Sequence, residues 1–124
     1  MKGRRCLLTG AGGGIGNATA RRLCEEGAAV VLADVSAEQV SDLAEQLEQG
    51  GCAAHALALD VTDEAAVRSA VDQAARVLGG LDGLIANAGI LTTGRIEDLS
   101  AEAFRQTLEV NLVGAFLCAR AAIP

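Results

Sequence analysis

The residues with the most distinctive chemistry form a glycine-rich stretch near the amino terminus, Thr9-Gly10-Ala11-Gly12-Gly13-Gly14-Ile15-Gly16. An apolar run precedes this stretch, and an alanine-rich segment with helical spacing follows it. A strand, a glycine turn and a helix start together present unpaired backbone N–H groups, and the helix dipole there favours an anion. Glycine is needed because a Cβ would keep that anion away from the backbone. The stretch therefore predicts a cradle for a phosphate group rather than a flexible linker.

A second chemical group follows about twenty residues later, at the spacing typical of dinucleotide-binding domains. Asp34 closes an apolar run, where its carboxylate can accept hydrogen bonds from the two hydroxyls of a ribose. The same carboxylate repels a 2′-phosphate, and the residue that comes next is Val35 rather than a basic one. The sequence therefore predicts a nicotinamide dinucleotide as ligand, with NAD favoured over NADP. A solvating aspartate at a strand end is the plainer alternative.

The elements that must position these groups alternate regularly along the chain. Apolar runs indicate four strands, at about 5–9, 29–33, 53–59 and 81–86. Helical periodicity with caps and glycine stops indicates four helices, at about 14–26, 37–49, 63–78 and 101–123. This order predicts an α/β fold with a doubly wound, Rossmann-like parallel sheet and the strand order 3-2-1-4.

Local patterns give more detailed expectations. The spacing of the first helix places Ile15 and Ala18 on its inner side, together with Ala20 and Leu23. Ser36, with a glutamine three residues later, matches a capping box. His55, among apolar neighbours in the third strand, is expected to be a hydrogen-bonded structural histidine.

The last predicted helix, 101–123, differs from the others because its second half is apolar nearly all round. A helix of that kind is buried on more than one side. Either more chain or a partner should cover it, and we expect self-association through this helix or a chain that supplies the missing cover.

Composition narrows the class of protein. At 124 residues the chain is one domain, and its net charge of −6 argues against a nucleic-acid surface. No apolar run reaches the roughly 18 residues of a membrane span, so a cytoplasmic protein is expected. The cysteines form no C-x-x-C pair, which favours buried reduced thiols over a zinc site or disulfides. They are Cys6, Cys24, Cys52 and Cys118.

Five motifs in order resemble the successive signatures of the short-chain dehydrogenase/reductase family. They are Thr9-Gly10-x3-Gly14-Ile15-Gly16, Asp34, Asp60-Val61-Thr62, Asn87-Ala88-Gly89 and Asn111. The resemblance covers the whole chain, 1–124, as an NAD-binding domain. It implies that Asp60 and Val61 contact the adenine edge, and that the Asn87-Ala88-Gly89 segment lines the coenzyme.

The same resemblance implies a catalytic part for Asn111, as the helix asparagine that holds a water in a proton relay. An asparagine in an apolar helix is also commonly a hydrogen-bonded core residue. In this family both roles are compatible with each other, and both stay open.

One departure from the family is as informative as the match. Family members continue for roughly as many residues again, and that half supplies a serine and a Tyr-x-x-x-Lys pair for proton transfer. This sequence contains no tyrosine, and its single lysine is Lys2. The resemblance thus implies a chain truncated after the fourth helix. It would be the NAD(H)-binding half of an oxidoreductase that transfers hydride between a nicotinamide and an alcohol or carbonyl compound, inactive on its own and of unspecified substrate.

Two further functions fit a glycine loop followed by an acidic strand end. One is a non-catalytic dinucleotide-binding or interaction module with no reaction of its own. The other is a methyltransferase with a related sheet, against which the glycine spacing, the Asn87-Ala88-Gly89 motif and Asn111 all count.

Overall fold

The computed structural model describes residues 1–123, and Pro124 lies outside the described residues. Strands and helices alternate, as the apolar runs predict. In order, the elements are β1 (Arg5–Thr9), α1 (Gly14–Glu25), β2 (Ala29–Asp34), α2 (Ala37–Gln49), β3 (Ala54–Ala58), α3 (Glu64–Leu78), β4 (Gly83–Ala86), α4 (Ala101–Leu108), a π-helical segment (Glu109–Gly114) and α5 (Ala115–Ala122).

The four strands form one parallel sheet in the order β3-β2-β1-β4. Leu7 of β1 lies between Val31 of β2 and Leu84 of β4 in the register of the sheet. This confirms the α/β, doubly wound, Rossmann-like fold and its predicted strand order. Because the strands are parallel, their carboxyl ends and the loops that follow meet along one edge of the sheet.

Aliphatic side chains fill the space on both faces of the sheet. Cys6, Leu8 and Val30 belong to the cluster that α1 and α2 cover. Leu7 and Val31 belong to the cluster that α3 and α5 cover. Successive strand residues point to opposite faces, so β1 is buried on both sides, and its nearly continuous apolar run follows from that position.

The first helix buries a different face from the one its spacing predicts. Gly16, Ala20 and Leu23 are buried, whereas Ile15 is 77% exposed and Ala18 is exposed as well. The expectation that Ile15 and Ala18 face the core was therefore wrong. Compared with the prediction, α1 is rotated about its axis so that Gly16 faces inward. Gly16 packs directly against the backbone of the glycine turn that precedes it, a contact that only a residue without a Cβ allows.

Two other local expectations were wrong. Ser36 stands at the N-cap of α2 but makes no side-chain capping bond, and its backbone N–H instead donates to Asp34 Oδ1 at 3.1 Å. His55 is exposed, because β3 is an edge strand and α2, the helix that packs against β3, covers the opposite face. His55 is therefore not a core histidine.

The predicted long helix, 101–123, is divided into three pieces. The π-helical segment separates α4 from α5. Gly114, the last residue of that segment, is buried, and a Cβ there would lie 2.6 Å from Val61 Cγ2. One set of large apolar side chains on these elements is exposed: Phe104, Leu108, Leu112 and Phe116. Within residues 1–123, no helix combines the length and apolar character needed to cross a membrane.

The cysteines do not all remain thiols. Cys24 of α1 and Cys52, two residues before β3, form a disulfide with a Cα–Cα distance of 5.5 Å. The expectation of four reduced thiols was wrong for this pair, because the fold brings together two residues that are 28 apart in sequence. Cys6 and Cys118 are free and buried. Burial raises the pKa of both of these thiols, which keeps them protonated and unreactive.

An ion pair joins the amino ends of β1 and β4. The Arg5 guanidinium donates two hydrogen bonds of 2.8 Å to the Asp82 carboxylate, and the Arg5 backbone N–H donates to the same carboxylate at 3.0 Å. These bonds hold the pKa of Asp82 well below its usual range. They fasten the edge strand β4 to the central strand β1, an interaction that the sequence pattern alone does not indicate.

Candidate functional site

A cleft of about 850 Å³ opens at the carboxyl ends of the strands. Its walls are the β1–α1 loop, the ends of β2, β3 and β4, and one side of α4 with the start of the π-helical segment. Most of the site residues predicted from sequence line it: Gly10, Gly13, Gly14, Ile15, Gly16, Asp34, Val35, Asp60, Val61, Asn87, Ala88 and Gly89. The predicted residues outside that lining are Thr9, Gly12 and Asn111, and each of them bonds or packs against a residue that lines it.

The glycines of the β1–α1 loop are of two kinds. Gly10 has a φ of +66°, and a Cβ there would lie 2.7 Å from Ala88 Cα. A Cβ on Gly16 would collide with the Gly10 carbonyl oxygen. Gly14 faces open space, and the nearest atom to a Cβ on Gly13 would be the Gly10 oxygen at 3.6 Å. The loop is therefore closely packed on its protein side and open at the start of α1, where an anion fits.

Thr9 and Asn87 join the glycine loop to the end of β4. Thr9 Oγ1 accepts hydrogen bonds from the backbone N–H groups of Asn87, at 3.1 Å, and Ala88, at 3.2 Å. In return, Asn87 Nδ2 donates to the carbonyl oxygens of Thr9 and Gly10, both at 3.1 Å. Thr9 is almost fully buried, so this reciprocal set of bonds fixes the two loops against each other and sets the floor of the cleft.

Asp34 is held in place by two backbone N–H groups. Its Oδ2 accepts from Gly12 at 3.0 Å, and its Oδ1 accepts from Ser36 at 3.1 Å. An ionised carboxylate has about four lone-pair sites, so both oxygens keep capacity for the hydroxyl groups of a ligand. A Cβ on Gly12 would lie 2.6 Å from Gln39 Oε1 and 3.2 Å from Asp34 Oδ2, so this position has little room for a side chain.

The segment after β3 forms the next wall of the cleft. Asp60 Oδ1 accepts from the Thr62 hydroxyl at 2.7 Å and from the Thr62 backbone N–H at 2.9 Å. The side-chain bond is the larger cause of a lowered pKa for Asp60, so the carboxylate is ionised at neutral pH. Val61 is buried, with its side chain beside Gly114 of the π-helical segment, and it also lines the cleft.

Asn111 lies in the π-helical segment and does not line the cleft. Its Oδ1 accepts from the Ile90 backbone N–H at 2.8 Å, and its Nδ2 donates to the Ile90 carbonyl at 2.9 Å. The side-chain amide thus pairs with the backbone immediately after Asn87-Ala88-Gly89. Asn111 thus positions this loop. Its side chain is hydrogen-bonded, as the structural alternative expected, but it is exposed rather than part of the core.

The structure adds cleft residues that were not predicted. Beside Leu59, Thr62 and Ile90, a polar stripe on one side of α4 and the π-helical segment faces the cleft: Glu102, Arg105, Gln106 and Glu109. Their spacing of three, four and seven residues from Glu102 is that of one helix face. That periodicity was visible in the sequence, but nothing in it indicated which helix face turns toward the strand ends.

These groups suit a nucleotide rather than a metal ion. Among residues 1–123 there is no cluster of histidine, cysteine, aspartate or glutamate side chains that could hold a metal. The open glycines offer N–H groups for a diphosphate, and the ordered carboxylates of Asp34 and Asp60 offer acceptors for hydroxyl and amino groups. Ala88 and Gly89 leave the backbone of the β4 loop accessible because they lack large side chains.

Comparison with known proteins agrees with this geometry. The family model for short chain dehydrogenase matches residues 4–124. The chain is 45% identical over 121 residues to a cis-4-hydroxycyclohexanecarboxylate dehydrogenase from Sinomonas cyclohexanicum, covering 97% of this chain and 48% of that protein. The structure superposes on NAD+-bound xylitol dehydrogenase with a TM-score of 0.94 at 38% identity, covering 98% of this chain and 47% of that one.

A third similar structure is a short chain dehydrogenase from Burkholderia cenocepacia J2315 in complex with NADP. Its TM-score is 0.91 at 40% identity, and the match covers 98% of this chain and 50% of that one. The chain thus spans about half the length of the curated relatives it matches. Since the family model extends over nearly the whole sequence and the sheet, glycine loop and strand-end motifs all agree with it, the chain belongs to the short chain dehydrogenase family.

Proposed function

We propose that this chain is the NAD(H)-binding part of a short-chain-type oxidoreductase that transfers hydride between a nicotinamide coenzyme and an alcohol or carbonyl compound. The observation that carries the proposal is the meeting of an open glycine loop, Asp34, Asp60 and Asn87 in one cleft. Relatives that are named as dehydrogenases of hydroxyl compounds support the reaction class. The bound coenzyme supplies the hydride chemistry, and the protein supplies binding and orientation.

Each wall of the cleft has its own part in this binding. The N–H groups at Gly13 and Gly14 hold the diphosphate at the start of α1. Asp34 accepts hydrogen bonds from the adenosine ribose. Asp60 and the Val61 backbone receive the adenine edge, and the Asn87-Ala88-Gly89 segment supports the nicotinamide half. Val35 and Ile15 supply apolar contact at the cleft rim, where both side chains are largely exposed.

We further propose that the coenzyme is NAD in preference to NADP. Both oxygens of Asp34 are fixed by backbone donors, so the carboxylate cannot easily turn away from a 2′-phosphate. Among the described residues that line the cleft, four are carboxylates and Arg105 is the single cation. A ligand with an additional phosphate would meet this acidic surface at an electrostatic cost. Relatives with NAD+ and with NADP are both known, so the preference rests on these charges.

Asp34→Asn tests both proposals, because the substitution keeps the size of the side chain and removes its charge. We expect NAD to bind about tenfold more weakly, the usual effect of losing hydrogen bonds to a charged group, and the preference for NAD over NADP to diminish. Isothermal calorimetry with NAD, NADP and S-adenosylmethionine is the measurement, and Asp72→Asn on the exposed face of α3 is the matched control. Unchanged affinities for both dinucleotides would remove Asp34 from the site, and tighter binding of S-adenosylmethionine would overturn the coenzyme assignment.

The proton-transfer groups of the whole enzyme are proposed to lie in sequence beyond Pro124. The sequence of this chain has no tyrosine, and in this family a tyrosine exchanges the proton of the substrate hydroxyl. Asn111 is proposed to take part indirectly, by holding Ile90 and a water of the proton relay. This chain alone should therefore bind coenzyme without turnover. Extending the reading frame, or adding a chain with the Tyr-x-x-x-Lys pair, should restore oxidation of secondary alcohols.

The lack of tyrosine favours one alternative, a dinucleotide-binding or interaction module without a reaction. The two functions differ in one outcome. If the extended form oxidises no alcohol while NAD still binds this chain, the module is the correct assignment and the enzyme proposal fails.

We also propose that the exposed apolar side chains of the last helical elements mediate self-association or the docking of the missing half. Phe104, Phe116 and Leu112 are each more than half exposed, a degree of exposure that is costly for side chains of this size. A cytoplasmic location, where the coenzyme is available, completes the proposal, and cell fractionation would test it.

A further inference from the structure

A second, smaller cleft lies away from the strand ends, beside the disulfide. Its volume is about 300 Å³, and both sulfur-bearing residues, Cys24 and Cys52, line it. Each of the two is half-buried, so solvent and small molecules reach the bond through this opening. The free cysteines, Cys6 and Cys118, are by contrast each 1% exposed, which separates the four cysteines into an accessible pair and an enclosed pair.

Two charged side chains line this cleft: Arg21, which lies one helical turn before Cys24, and Glu25. The Arg21 guanidinium donates to two neutral oxygens, Asn17 Oδ1 at 2.8 Å and Gln46 Oε1 at 2.7 Å. Among the described residues it forms no ion pair with a carboxylate. Glu25, which also lines the cleft, is already paired with Arg22 at 3.7 Å. The positive charge of Arg21 is therefore available to an anionic ligand.

We propose that the Cys24–Cys52 disulfide is a thiol-exchange site for a small anionic thiol, such as a carboxylate-bearing peptide thiol, which binds in this cleft beside Arg21. The thiolate of the ligand attacks one sulfur of the disulfide, the Cys24–Cys52 bond breaks, and the released protein sulfur takes a proton from water. A second ligand thiol then attacks the mixed disulfide. The protein gains two thiols, and the two ligand molecules leave as their own disulfide. The reverse reaction, with the small disulfide as oxidant, restores the bond.

The disulfide and the proposed coenzyme cleft lie at opposite ends of α1. Cys24 lies in the last turn of α1, at the opposite end from the glycine loop, and Cys52 precedes the amino end of β3. The bond therefore ties α1 to the segment between α2 and β3. The Arg21–Gln46 hydrogen bond and a shared apolar core cluster join α1 to α2 independently of the disulfide, so we expect the fold to persist when the bond is reduced.

The experiment compares two thiols on the folded chain. Glutathione carries carboxylates, whereas 2-mercaptoethanol is uncharged in its thiol form and serves as the internal reference. After timed exposure at equal thiolate concentration, free cysteines are alkylated and mapped by peptide mass spectrometry. We expect labels on Cys24 and Cys52 at a rate proportional to thiol concentration, with Cys6 and Cys118 unlabelled.

Arg21→Gln tests whether the positive charge of Arg21 increases the rate of exchange with an anionic thiol. We expect the rate with glutathione, relative to that with 2-mercaptoethanol, to fall about fivefold at low salt, as expected from removing one nearby charge. Arg21→Lys should restore the ratio, and Arg68→Gln, on α3 and outside the lining of this cleft, should leave it unchanged. Because the ratio is taken within each variant, a change in folding stability affects both rates and cancels.

Three results would overturn the proposal. Reduction at a rate independent of thiol concentration would mean that the bond opens only when the chain unfolds. Labelling of all four cysteines together would mean the same. An unchanged ratio in Arg21→Gln would remove the anion-binding part of the site.

Discussion

At the scale of single residues, the β1–α1 loop contains glycines that the fold requires and glycines that are free to contact a ligand. Gly10 and Gly16 have no room for a Cβ, because each would contact backbone atoms that cannot move aside. Gly14 has space around it but lines the cleft. The glycines of this loop are therefore under two different constraints: close packing at Gly10 and Gly16, and an open position in the cleft at Gly14.

Gly14→Ala should keep the fold and weaken coenzyme binding. The added methyl group meets no protein atom within 4 Å, and alanine has the higher helix propensity, so the thermal midpoint should be equal or slightly higher. The methyl group would occupy the space where the diphosphate is proposed to bind, and NAD should bind about tenfold more weakly. Thermal denaturation and calorimetry measure the two effects.

Gly16→Ala is the matched comparison in the same loop. Its methyl group would overlap the Gly10 carbonyl oxygen, so α1 must shift, and we expect a loss of about 2–3 kcal/mol of folding free energy. Equal behaviour of the two variants in thermal denaturation would show that the loop does not separate fold from ligand in this way.

Asp82→Asn tests the ion pair at the amino ends of β1 and β4 through its pH dependence. The Arg5 partner lowers the pKa of Asp82 in the folded state, so the stabilising effect is present above the unfolded pKa of about 3.9 and is lost as pH falls through the lower folded pKa. The wild type should be more stable than the variant at pH 7 and at pH 5, and the difference should shrink below pH 4. Thermal midpoints across this range measure it, and a difference that grows on acidification would contradict the assignment.

At this scale, the sequence was sufficient to predict most of the residues that line the candidate site. It was not sufficient to predict which distant residues contact each other. The glycines and Asp34 could be expected to line one cleft, because a close backbone turn and a polar strand end demand particular residue types; ribose binding by Asp34 stays a prediction. The disulfide and the Arg5–Asp82 pair could not be expected, because each joins residues that are distant along the chain, 28 and 77 apart. Only the folded sheet brings such partners together.

At the scale of elements, the π-helical segment accounts for the largest difference between expectation and structure. In an α-helix, a step of four residues advances about 40° past a full turn. The exposed apolar residues are spaced by four: Phe104, Leu108, Leu112 and Phe116. The wider turn of a π-helix reduces this drift, so the four side chains keep to one side across the three helical pieces. The apolar composition predicted one long helix, but the spacing of apolar residues does not predict where a π-helical turn interrupts it.

Gly114→Ala should affect both the helix and the coenzyme site. A Cβ at this position would lie 2.6 Å from Val61 Cγ2 and 3.1 Å from Val61 Cβ, so the helix and the segment after β3 must separate. We expect a loss of about 1–3 kcal/mol of folding free energy together with weaker NAD binding, because the Val61 backbone is proposed to contact the adenine. Ala115→Gly, at the next position, provides the control for helix propensity alone. Unaltered NAD affinity in Gly114→Ala would show that the π-helical segment does not influence the coenzyme site.

At the scale of the whole molecule, the sheet has two edges among the described residues, β3 and β4. The residues of β4 are at most partly buried, although β4 pairs with the central strand β1. The exposed apolar row on the last helical elements lies in the part of the chain that follows β4. A sheet edge with unpaired backbone groups and a nearby apolar surface favour association with another chain.

Leu112→Lys should therefore reduce self-association. Leu112 is 63% exposed, so the substitution costs the fold little, while a charge placed within an apolar contact opposes it. Sedimentation velocity should show the wild type as dimers or larger species at tens of micromolar and the variant as mainly monomer. Val77→Lys, at a residue 47% exposed on α3, is the control. A monomeric wild type would contradict the expectation.

The parallel sheet also determines when its parts can form during folding. Cys6 pairs with Val30 after 24 residues, but with Gly83 only after 77. Closing the longer loop costs roughly 1 kcal/mol more in chain entropy, so we expect β1 to pair with β2 before it pairs with β4. During synthesis from the amino terminus, the central strand therefore spends an interval as an edge with its β4 side unpaired. The chain is most open to mispairing in that interval, and the docking of β4 through Arg5 and Asp82 ends it.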